Sequence, residues 1–265
     1  MRRSQELSEF CETTREGRIL TVTINRPNRM NALHPPANAE LAAVFDDFVS
    51  DDDLWVAIIT GAGDRAFSAG NDLKFQAEEG GSAVQSPKTG FAGLTARFDN
   101  PKPVIAAVNG VAMGGGFEIA LACDLIVASE NAVFALPEPR VGLAALAGGV
   151  HRLPRQIGLK QAMGMLLTGR RVGAEEGQQL GFVNEVVPQA DLMLSARRWA
   201  DQIIECAPLS VRGSKQAAMQ GLEASGLEEA MAGRYDQLSA MVKSEDFVEG
   251  PRAFAEKRPP RWTGK

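Results

Sequence analysis

Two glutamates occupy apolar or conformationally restricted positions, where a carboxylate is expected to have a hydrogen-bonding partner or a catalytic role. Glu118 lies in the apolar run 113–122 (MGGGFEIALA), and Glu138 stands between two prolines directly after an apolar segment. An unpaired buried carboxylate is costly in free energy. The separation of 138 − 118 = 20 residues leaves room for the rest of a helix, a strand and a turn, so both side chains can reach one pocket. Two carboxylates in one site can hold different protonation states, as proton transfer coupled to water addition requires.

Three consecutive glycines precede Glu118 and offer backbone donors. Gly115 is expected at the start of a helix, where free N–H groups and the helix dipole can hold an anion or a developing oxyanion. The 66–74 loop (AFSAGNDLK) also places a glycine before a helical turn, so the amide of Asn71 can supply a second donor opposite Gly115. Each feature has a plain structural alternative: a tight packing turn for the glycines, dipole compensation for Glu118, and a rigid surface turn for Glu138.

The elements that must position these residues follow an α/β rhythm. Apolar runs bounded by turn residues predict strands, while one amphipathic pattern and one that begins with glycines predict helices. Strands are expected at 19–24, 56–60, 104–108, 125–128 and 182–187, and the first helices at 37–49 and 114–122. This order predicts a mostly parallel sheet. Residues 70–100 are expected to form a long surface loop, and helices are expected from 190 to about 256.

The composition argues against several classes of protein. The 265 residues carry 28 basic and 33 acidic side chains, so the net charge is 28 − 33 = −5 and a nucleic-acid partner is not expected. Three distant cysteines and two histidines indicate neither a disulfide framework nor a metal site. The most apolar stretch, 104–122, is interrupted by Asn109, Glu118 and glycines, so no membrane span is expected. The first residues become acidic before an apolar signal segment can form, which predicts a cytoplasmic location.

Five ordered segments resemble the crotonase, or enoyl-CoA hydratase/isomerase, family. They are INRPNRMNAL at 24–33, VAIITGAGDRAFSAGNDL at 56–73, PKPVIAAVNGVAMGGGFEIALACDLIVASENAVFALPE at 101–138, RLPRQIG at 152–158 and LTGRRVGAEE at 167–176. The ordered set is far more specific than any single segment. Within the family, FALPE and the tail SEDFVEGPRAFAEKR resemble the carnitinyl-CoA dehydratase, or crotonobetainyl-CoA hydratase, branch.

The resemblance implies a fold, a substrate class and an assembly. The fold is an α/β spiral of ββα units over residues 1–189, followed by a helical region over 190–265 that forms a homotrimer or a dimer of trimers. The substrate is an acyl-CoA thioester. No separate cofactor and no metal are expected, because coenzyme A is part of the substrate and the thioester itself makes the α-carbon acidic.

The resemblance also implies roles for particular residues. The amides of Asn71 and Gly115 stabilise the thioester enolate, and Glu118 and Glu138 activate the water in hydratases of the family. Backbone groups of 66–74 are expected to meet the adenine and pantetheine, and exposed basic side chains to approach the phosphates. The CoA contacts are therefore expected at Ala66, Ser68, Asn71, Asp72, Leu73, Lys74, Gly115, Arg26 and Arg29. His151 is expected to be a surface or packing residue.

Possession of both glutamates favours reversible syn addition of water to the α,β double bond of an enoyl-CoA. Three alternatives stay open: a specialised carnitinyl-CoA dehydratase, a Δ3,Δ2-enoyl-CoA isomerase, and a non-catalytic acyl-CoA-binding paralogue. Self-association is expected through the helical region, because its apolar side chains exceed what a small appendix can bury alone. The residues concerned are Leu192, Leu194, Trp199, Ile203 and Ile204.

Overall fold

The chain forms two β-sheets surrounded by helices. The computed structural model describes residues 4–78 and 86–265. Its strands are β1 (Ser4–Leu7), β2 (Cys11–Glu16), β3 (Ile19–Ile24), β4 (Val56–Gly61), β5 (Ala66–Ser68), β6 (Val104–Val108), β7 (Val111–Met113), β8 (Leu125–Ser129), β9 (Val133–Ala135), β10 (Val172–Gly173) and β11 (Glu185–Val187). Its helices are α1 (Pro35–Ser50), α2 (Leu73–Glu78), α3 (Gly115–Ala122), α4 (Gly149–Gln156), α5 (Leu159–Thr168), α6 (Ala174–Leu180), α7 (Leu192–Ile204), α8 (Pro208–Gly221), α9 (Leu227–Ala232), α10 (Asp236–Met241) and α11 (Glu245–Ala255).

The two sheets share a repeated connection. The larger sheet has the order β1-β2-β3-β4-β6-β8-β11, antiparallel from β1 to β3 and parallel from β3 onward. The smaller sheet has the order β10-β9-β7-β5, in which β5, β7 and β9 are parallel. Each of the pairs β4–β5, β6–β7 and β8–β9 therefore places one strand in each sheet before the chain continues into a helix. This is the predicted spiral of ββα units.

The central strands of the larger sheet are covered on both faces. All six residues of β4 are buried, and successive side chains point to opposite layers: Ile59 lies in the main core and Ile58 in a second core. The main core includes Phe45 of α1, whereas the second core includes Ala196 and Ala200 of α7. Burial on both faces explains why these strands are continuous apolar runs rather than alternating ones.

The predicted strand at 182–187 begins three residues before the observed strand, β11. Only Glu185–Val187 pairs with the sheet, as β11 beside β8. Phe182 instead packs in the main core, where its ring lies 5.1 Å from that of Phe117 and 5.2 Å from that of Phe134. The aromatic side chain is therefore used to fill the space between helix and sheet. The other predicted strands agree with the structure to within one residue at each end.

The expectation of a surface loop over 70–100 is wrong for both ends of the segment. Residues 73–78 form α2, and residues 91–93 form a 3-10 helix whose side chains are buried. The amide of Ala92 donates to Asn38 Oδ1 of α1 at 2.7 Å. A Cβ on Gly93 would lie 2.4 Å from the Cα of Ala42, so the close approach to α1 requires glycine. A short apolar segment thus docks onto a helix, although it has no periodicity that would predict this. Residues 79–85 of the expected loop lie outside the described residues.

The apolar residues expected to drive self-association are largely used within the chain. Leu192 is 2% exposed in the second core, and Trp199, Ile203 and Ile204 pack partly buried against the same cluster. Their expected availability as an uncovered face is therefore wrong, because α7 covers the second face of the sheet. Leu194, by contrast, is 71% exposed. The division of the chain at residue 190 stays a prediction.

The helices of the described segments 4–78 and 86–265 include none that is both long and apolar enough to cross a membrane.

Candidate active site

The smaller sheet brings the predicted site residues to one edge. Its strands β5, β7 and β9 are adjacent and parallel, so their carboxyl ends meet. Asn71 follows β5, Gly115 follows β7, and Glu138 follows β9. Glu118 lies in the first turn of α3, the helix that begins directly after β7. The local sequence alone cannot show this convergence, because it depends on the order of strands in the sheet.

Glycines allow the loop after β5 to approach the start of α3 closely. Gly70 has a φ of +85°, and a Cβ there would lie 2.6 Å from the carbonyl oxygen of Met113 and 2.8 Å from the amide nitrogen of Gly115. A Cβ on Gly116 would lie 2.0 Å from the carbonyl oxygen of Ser68. Side chains at these positions would force the two segments apart. The triple glycine therefore serves close packing, and the same packing brings the expected amide donors together.

The amides of Asn71 and Gly115 are both available as donors. Leu33 donates to the carbonyl of Gly70 at 2.8 Å and accepts from the amide of Asp72 at 2.9 Å, so the amide of Asn71 between them points the other way. Gly115 is the first residue of α3, where an amide has no acceptor within its own helix. Within residues 4–78 and 86–265, neither amide donates to a backbone or side-chain acceptor.

Glu118 is a buried carboxylate held at one oxygen. The residue is 3% exposed, and its Oε1 accepts a hydrogen bond from the amide of Gly149 at 2.8 Å. Burial raises the pKa of Glu118 to about 7, and the neighbouring Glu138 adds to this, although the amides of Gly149 and Ala147 and the charge of Arg152 oppose it. At neutral pH the carboxyl therefore exists in both protonation states. A group of this kind can give or take a proton.

Glu138 is aimed at the glycine turn that precedes α3. It begins a 3-10 helix, Glu138–Val141, directly after Pro137. A Cβ on Gly114 would lie 2.8 Å from Glu138 Oε1, so the carboxyl lies against the backbone of that turn. Oε2 is buried and has no hydrogen-bond partner in the part of the chain that the structure describes. Burial raises the pKa of Glu138 above its ordinary value. Glu138 is thus a half-buried acid with one unsatisfied acceptor oxygen beside the glycine turn.

The remaining predicted contacts on the β5 segment differ in accessibility. Ala66 and Ser68 are buried at 2% and 0% exposure, and the Ser68 hydroxyl donates to the Asn31 carbonyl and accepts from the Gly70 amide. Their side chains pack β5, the strand that precedes Asn71. A contact between these two residues and coenzyme A therefore stays a prediction for their backbone groups alone. Leu73 is 46% exposed, and Lys74 is exposed as well.

The expectation that Arg26 is an exposed cation is wrong. Its side chain is 13% exposed, and its Nη1 donates to Asp72 Oδ2 at 3.1 Å and to the carbonyl of Ala32. Burial opposes ionisation of Asp72, but the Phe75 amide and the Arg26 guanidinium outweigh it and hold the pKa of Asp72 below its ordinary value. Arg29, which follows on the same turn, is exposed as expected.

Three residues at the site did not figure among the candidates from sequence. Gly149 supplies the amide that binds Glu118. Arg152, one turn later in α4, donates to the Thr95 carbonyl at 2.8 Å and lowers the pKa of Glu118 through its charge. The Phe91 ring lies against Gly115, where a Cβ would lie 2.6 Å from its Cε1. The only local signal was the glycine pair at 148–149 before a helix. His151, in the same helix, is exposed as expected.

Comparison with known proteins decides the family. The family model described as enoyl-CoA hydratase/isomerase matches residues 14–265. The chain belongs to the enoyl-CoA hydratase/isomerase family. Carnitinyl-CoA dehydratase from Escherichia coli (strain K12) is 47% identical over 263 residues, which cover 98% of this chain and 100% of that relative. The protein of the same name from Citrobacter koseri is 46% identical over 262 residues, with the same coverage.

Solved structures of this family share the fold. An enoyl-CoA hydratase from Mycobacterium marinum superposes with a TM-score of 0.90 at 38% identity, covering 97% of this chain and 99% of that chain. An enoyl-CoA hydratase from Mycobacterium tuberculosis H37Rv gives a TM-score of 0.89 at 37% identity with the same coverage. These likenesses confirm the predicted family and the predicted α/β spiral of the crotonase type.

Proposed function

We propose that this member of the enoyl-CoA hydratase/isomerase family catalyses the reversible syn addition of water to the α,β double bond of an enoyl-CoA thioester. The observation that carries the proposal is the convergence of a buried and a half-buried glutamate, both with raised pKa values, on two available backbone amides. Relatives named for hydration and dehydration of CoA thioesters support it. An isomerase needs one acid, and a binding protein needs neither.

The two amides would act on the thioester carbonyl. With the oxygen between Asn71 and Gly115, negative charge that develops there as water adds to the β-carbon is stabilised by two fixed donors. Removal of one donor of this kind typically slows a reaction by roughly 10²–10³-fold. The α-carbon then carries the electron pair of the former double bond and is protonated to complete the addition.

The two carboxyls would move the protons. One of Glu118 and Glu138 takes a proton from the water as its oxygen bonds to the β-carbon, and the other gives a proton to the α-carbon. Both new bonds form on the face of the double bond where the carboxyls lie, which makes the addition syn. Because Glu118 has a pKa of about 7, it can be charged or neutral near neutral pH, and this suits a reaction that runs in both directions.

A second candidate is the same chemistry on one particular acyl group. Carnitinyl-CoA dehydratases are 46–47% identical to this chain over nearly its whole length. Dehydration of carnitinyl-CoA removes a water and leaves an α,β-unsaturated thioester with a trimethylammonium group, so the same two acids and two amides serve. The two candidates differ only in what the acyl end of the site accepts.

A substrate panel tests the proposal. The purified protein is assayed for hydration of straight-chain 2-enoyl-CoA esters, of crotonobetainyl-CoA and, for isomerisation, of a 3-enoyl-CoA. Hydration of one or more 2-enoyl esters is expected, and the ratio of kcat/KM between crotonyl-CoA and crotonobetainyl-CoA separates the two candidates. Isomerisation alone, or tight binding without turnover, contradicts the proposal.

Variants then test the two acids. Glu118→Gln and Glu138→Gln are each expected to lower the hydration rate by roughly 10²-fold or more, the scale of general acid–base catalysis, while binding of a saturated acyl-CoA changes little. Glu130→Gln makes the same chemical change at an exposed position and should leave the rate unchanged. Wild-type turnover in either active-site variant would exclude the two-carboxylate mechanism.

The assembly is proposed to be a homotrimer or a dimer of trimers. Support comes from large apolar side chains that the single chain leaves exposed between α8 and α9, at 57–79% exposure; these are Met219, Leu222, Leu227 and Met231.

A further inference from the structure

Arg26 makes contacts within the protein that the sequence did not predict. It follows β3, and its Nη1 donates both to Asp72 Oδ2 at 3.1 Å and to the carbonyl of Ala32. Its Cζ also lies 5.8 Å from the centre of the Phe10 ring, within the range of a cation–π contact. With these partners and 13% exposure, the Arg26 guanidinium binds groups inside the protein rather than facing solvent.

Asp72 is held at both carboxylate oxygens and at its backbone. Oδ1 accepts from the amide of Phe75 at 3.2 Å, which caps the start of α2, and Oδ2 accepts from Arg26 at 3.1 Å. The amide of Asp72 donates to the carbonyl of Leu33 at 2.9 Å. The residue is 6% exposed. Asp72 is therefore a fixed point, and it is the immediate neighbour of Asn71.

The segment that carries Arg26 also holds the other side of Asn71. Leu33 donates to the carbonyl of Gly70 at 2.8 Å, and Arg26 holds the carbonyl of Ala32, the residue before Leu33. The chain on both sides of Asn71 is thus hydrogen-bonded to one short segment, 26–33. The ion pair between Arg26 and Asp72 adds a side-chain contact between the same two segments.

We propose that Arg26 and Asp72 are positioning residues for the oxyanion site, and that their ion pair holds the amide of Asn71 at the place where the thioester oxygen binds. This inference rests on the proposed function, because Asn71 is a catalytic donor only there. Oxyanion donors act at ~2.7–3.1 Å from the charged oxygen, and a functional group must be held within about 0.5 Å of its productive place. Rotation of the 70–72 peptide groups would exceed this tolerance without unfolding the protein.

The first test compares variants of the pair. Arg26→Met removes the guanidinium and keeps an unbranched side chain, and Asp72→Asn keeps the acceptor for Phe75 but removes the charge. Each is expected to lower kcat about 10-fold or more, less than the loss expected when a donor is removed outright. KM is expected to change less than about twofold, because ground-state binding does not need the aligned donor. The double variant should be no slower than the slower single variant, since the two residues act as one unit.

Two further variants separate positioning from general stability. Arg26→Lys keeps a charged donor on a side chain one bond shorter than that of arginine, and it should restore part of the kcat that Arg26→Met loses. Arg18→Met removes a guanidinium from a more exposed pair with Asp53 at the opposite end of β3, far from Asn71 in the sequence, and kcat should stay unchanged. If Arg26→Met does not fold, Asp72→Asn and Arg26→Lys carry the test.

The spectroscopic test reads the donor directly. The carbonyl stretch of a bound acyl-CoA, labelled with carbon-13 at the thioester, is measured by isotope-edited infrared spectroscopy. Wild-type protein should lower the frequency, because hydrogen bonds polarise the carbonyl, and Arg26→Met and Asp72→Asn should return part of that shift. Loss of thermal stability with wild-type frequency and kcat in the folded variants would reduce the pair to a structural role and overturn the inference.

Other results have equally definite meanings. A rise in KM that shrinks with salt, at constant kcat, would make Arg26 a phosphate contact and overturn the inference. A wild-type protein that hydrates no enoyl-CoA and does not shift the carbonyl frequency would refute the proposed function itself. Wild-type hydration and polarisation that survive both substitutions would refute only the role of the ion pair.

Discussion

Replacement of Glu118 by glutamine is expected to stabilise the protein while it removes activity. The carboxyl has a pKa of about 7 in the folded protein against an ordinary value of 4.5, because it is buried. Between these two pH values the folded state retains a proton that the unfolded state has released. The free energy of unfolding therefore falls as the pH rises through this window.

The magnitude follows from the two pKa values. A difference from 4.5 to about 7 corresponds to about 3 kcal/mol at ~1.36 kcal/mol per pKa unit. Glutamine does not ionise, and its amide oxygen can still accept from the Gly149 amide. Glu118→Gln should thus match the wild type near pH 4 and exceed it by about 3 kcal/mol at pH 8.

Urea unfolding at several pH values and one fixed protein concentration measures this difference. The fixed concentration matters because the proposed assembly would make the apparent stability depend on protein concentration. Glu130→Gln is the control, since it removes the same charge at an exposed position, and its effect should stay within about 0.5 kcal/mol at every pH. A difference between Glu118→Gln and wild type that does not change between pH 4.5 and pH 8 would refute the argument that burial raises this pKa.

Three further predictions concern the glycine turn, the phosphates and the assembly. Gly114→Ala and Gly181→Ala both place a side chain at positive φ, +52° and +98°, but only the first puts a Cβ 2.8 Å from Glu138 Oε1, so only the first should lower kcat, by roughly 10-fold or more. The Arg29→Ala/Lys74→Ala variant should raise KM for an enoyl-CoA at low salt with kcat unchanged, and an unchanged KM would show that these exposed cations do not meet the phosphates. Light scattering at micromolar concentration should show an oligomer, and a stable monomer would contradict the proposed assembly.

Local sequence was sufficient for the long central strands and for the types of group at the site. The strands β4, β6 and β8 are apolar runs bounded by turn residues, and a strand buried on both faces needs little more than that. Strand β3 alternates threonine with aliphatic residues, which is the pattern of a strand buried on one face. Glu118 and Glu138 stood out because a carboxylate in an apolar setting is costly wherever the chain folds. Gly115 and Asn71 followed from the helix start and from the family resemblance. These features depend on residue type and near neighbours, so they can be read without a structure.

Tertiary structure alone decided which distant groups became partners. Glu118 is held by an amide 31 residues away, and Arg26 by a carboxylate 46 residues away. The sequence around Arg26 has the pattern of an exposed turn. Arg26 is nevertheless in an internal ion pair, because the fold brings Asp72 back beside the 26–33 segment, where it is hydrogen-bonded to Leu33. In the same way, periodicity showed that Leu192 lies on an apolar face but not that the second face of the sheet covers it. Periodicity determines which side of an element is apolar, whereas strand order determines what that side meets.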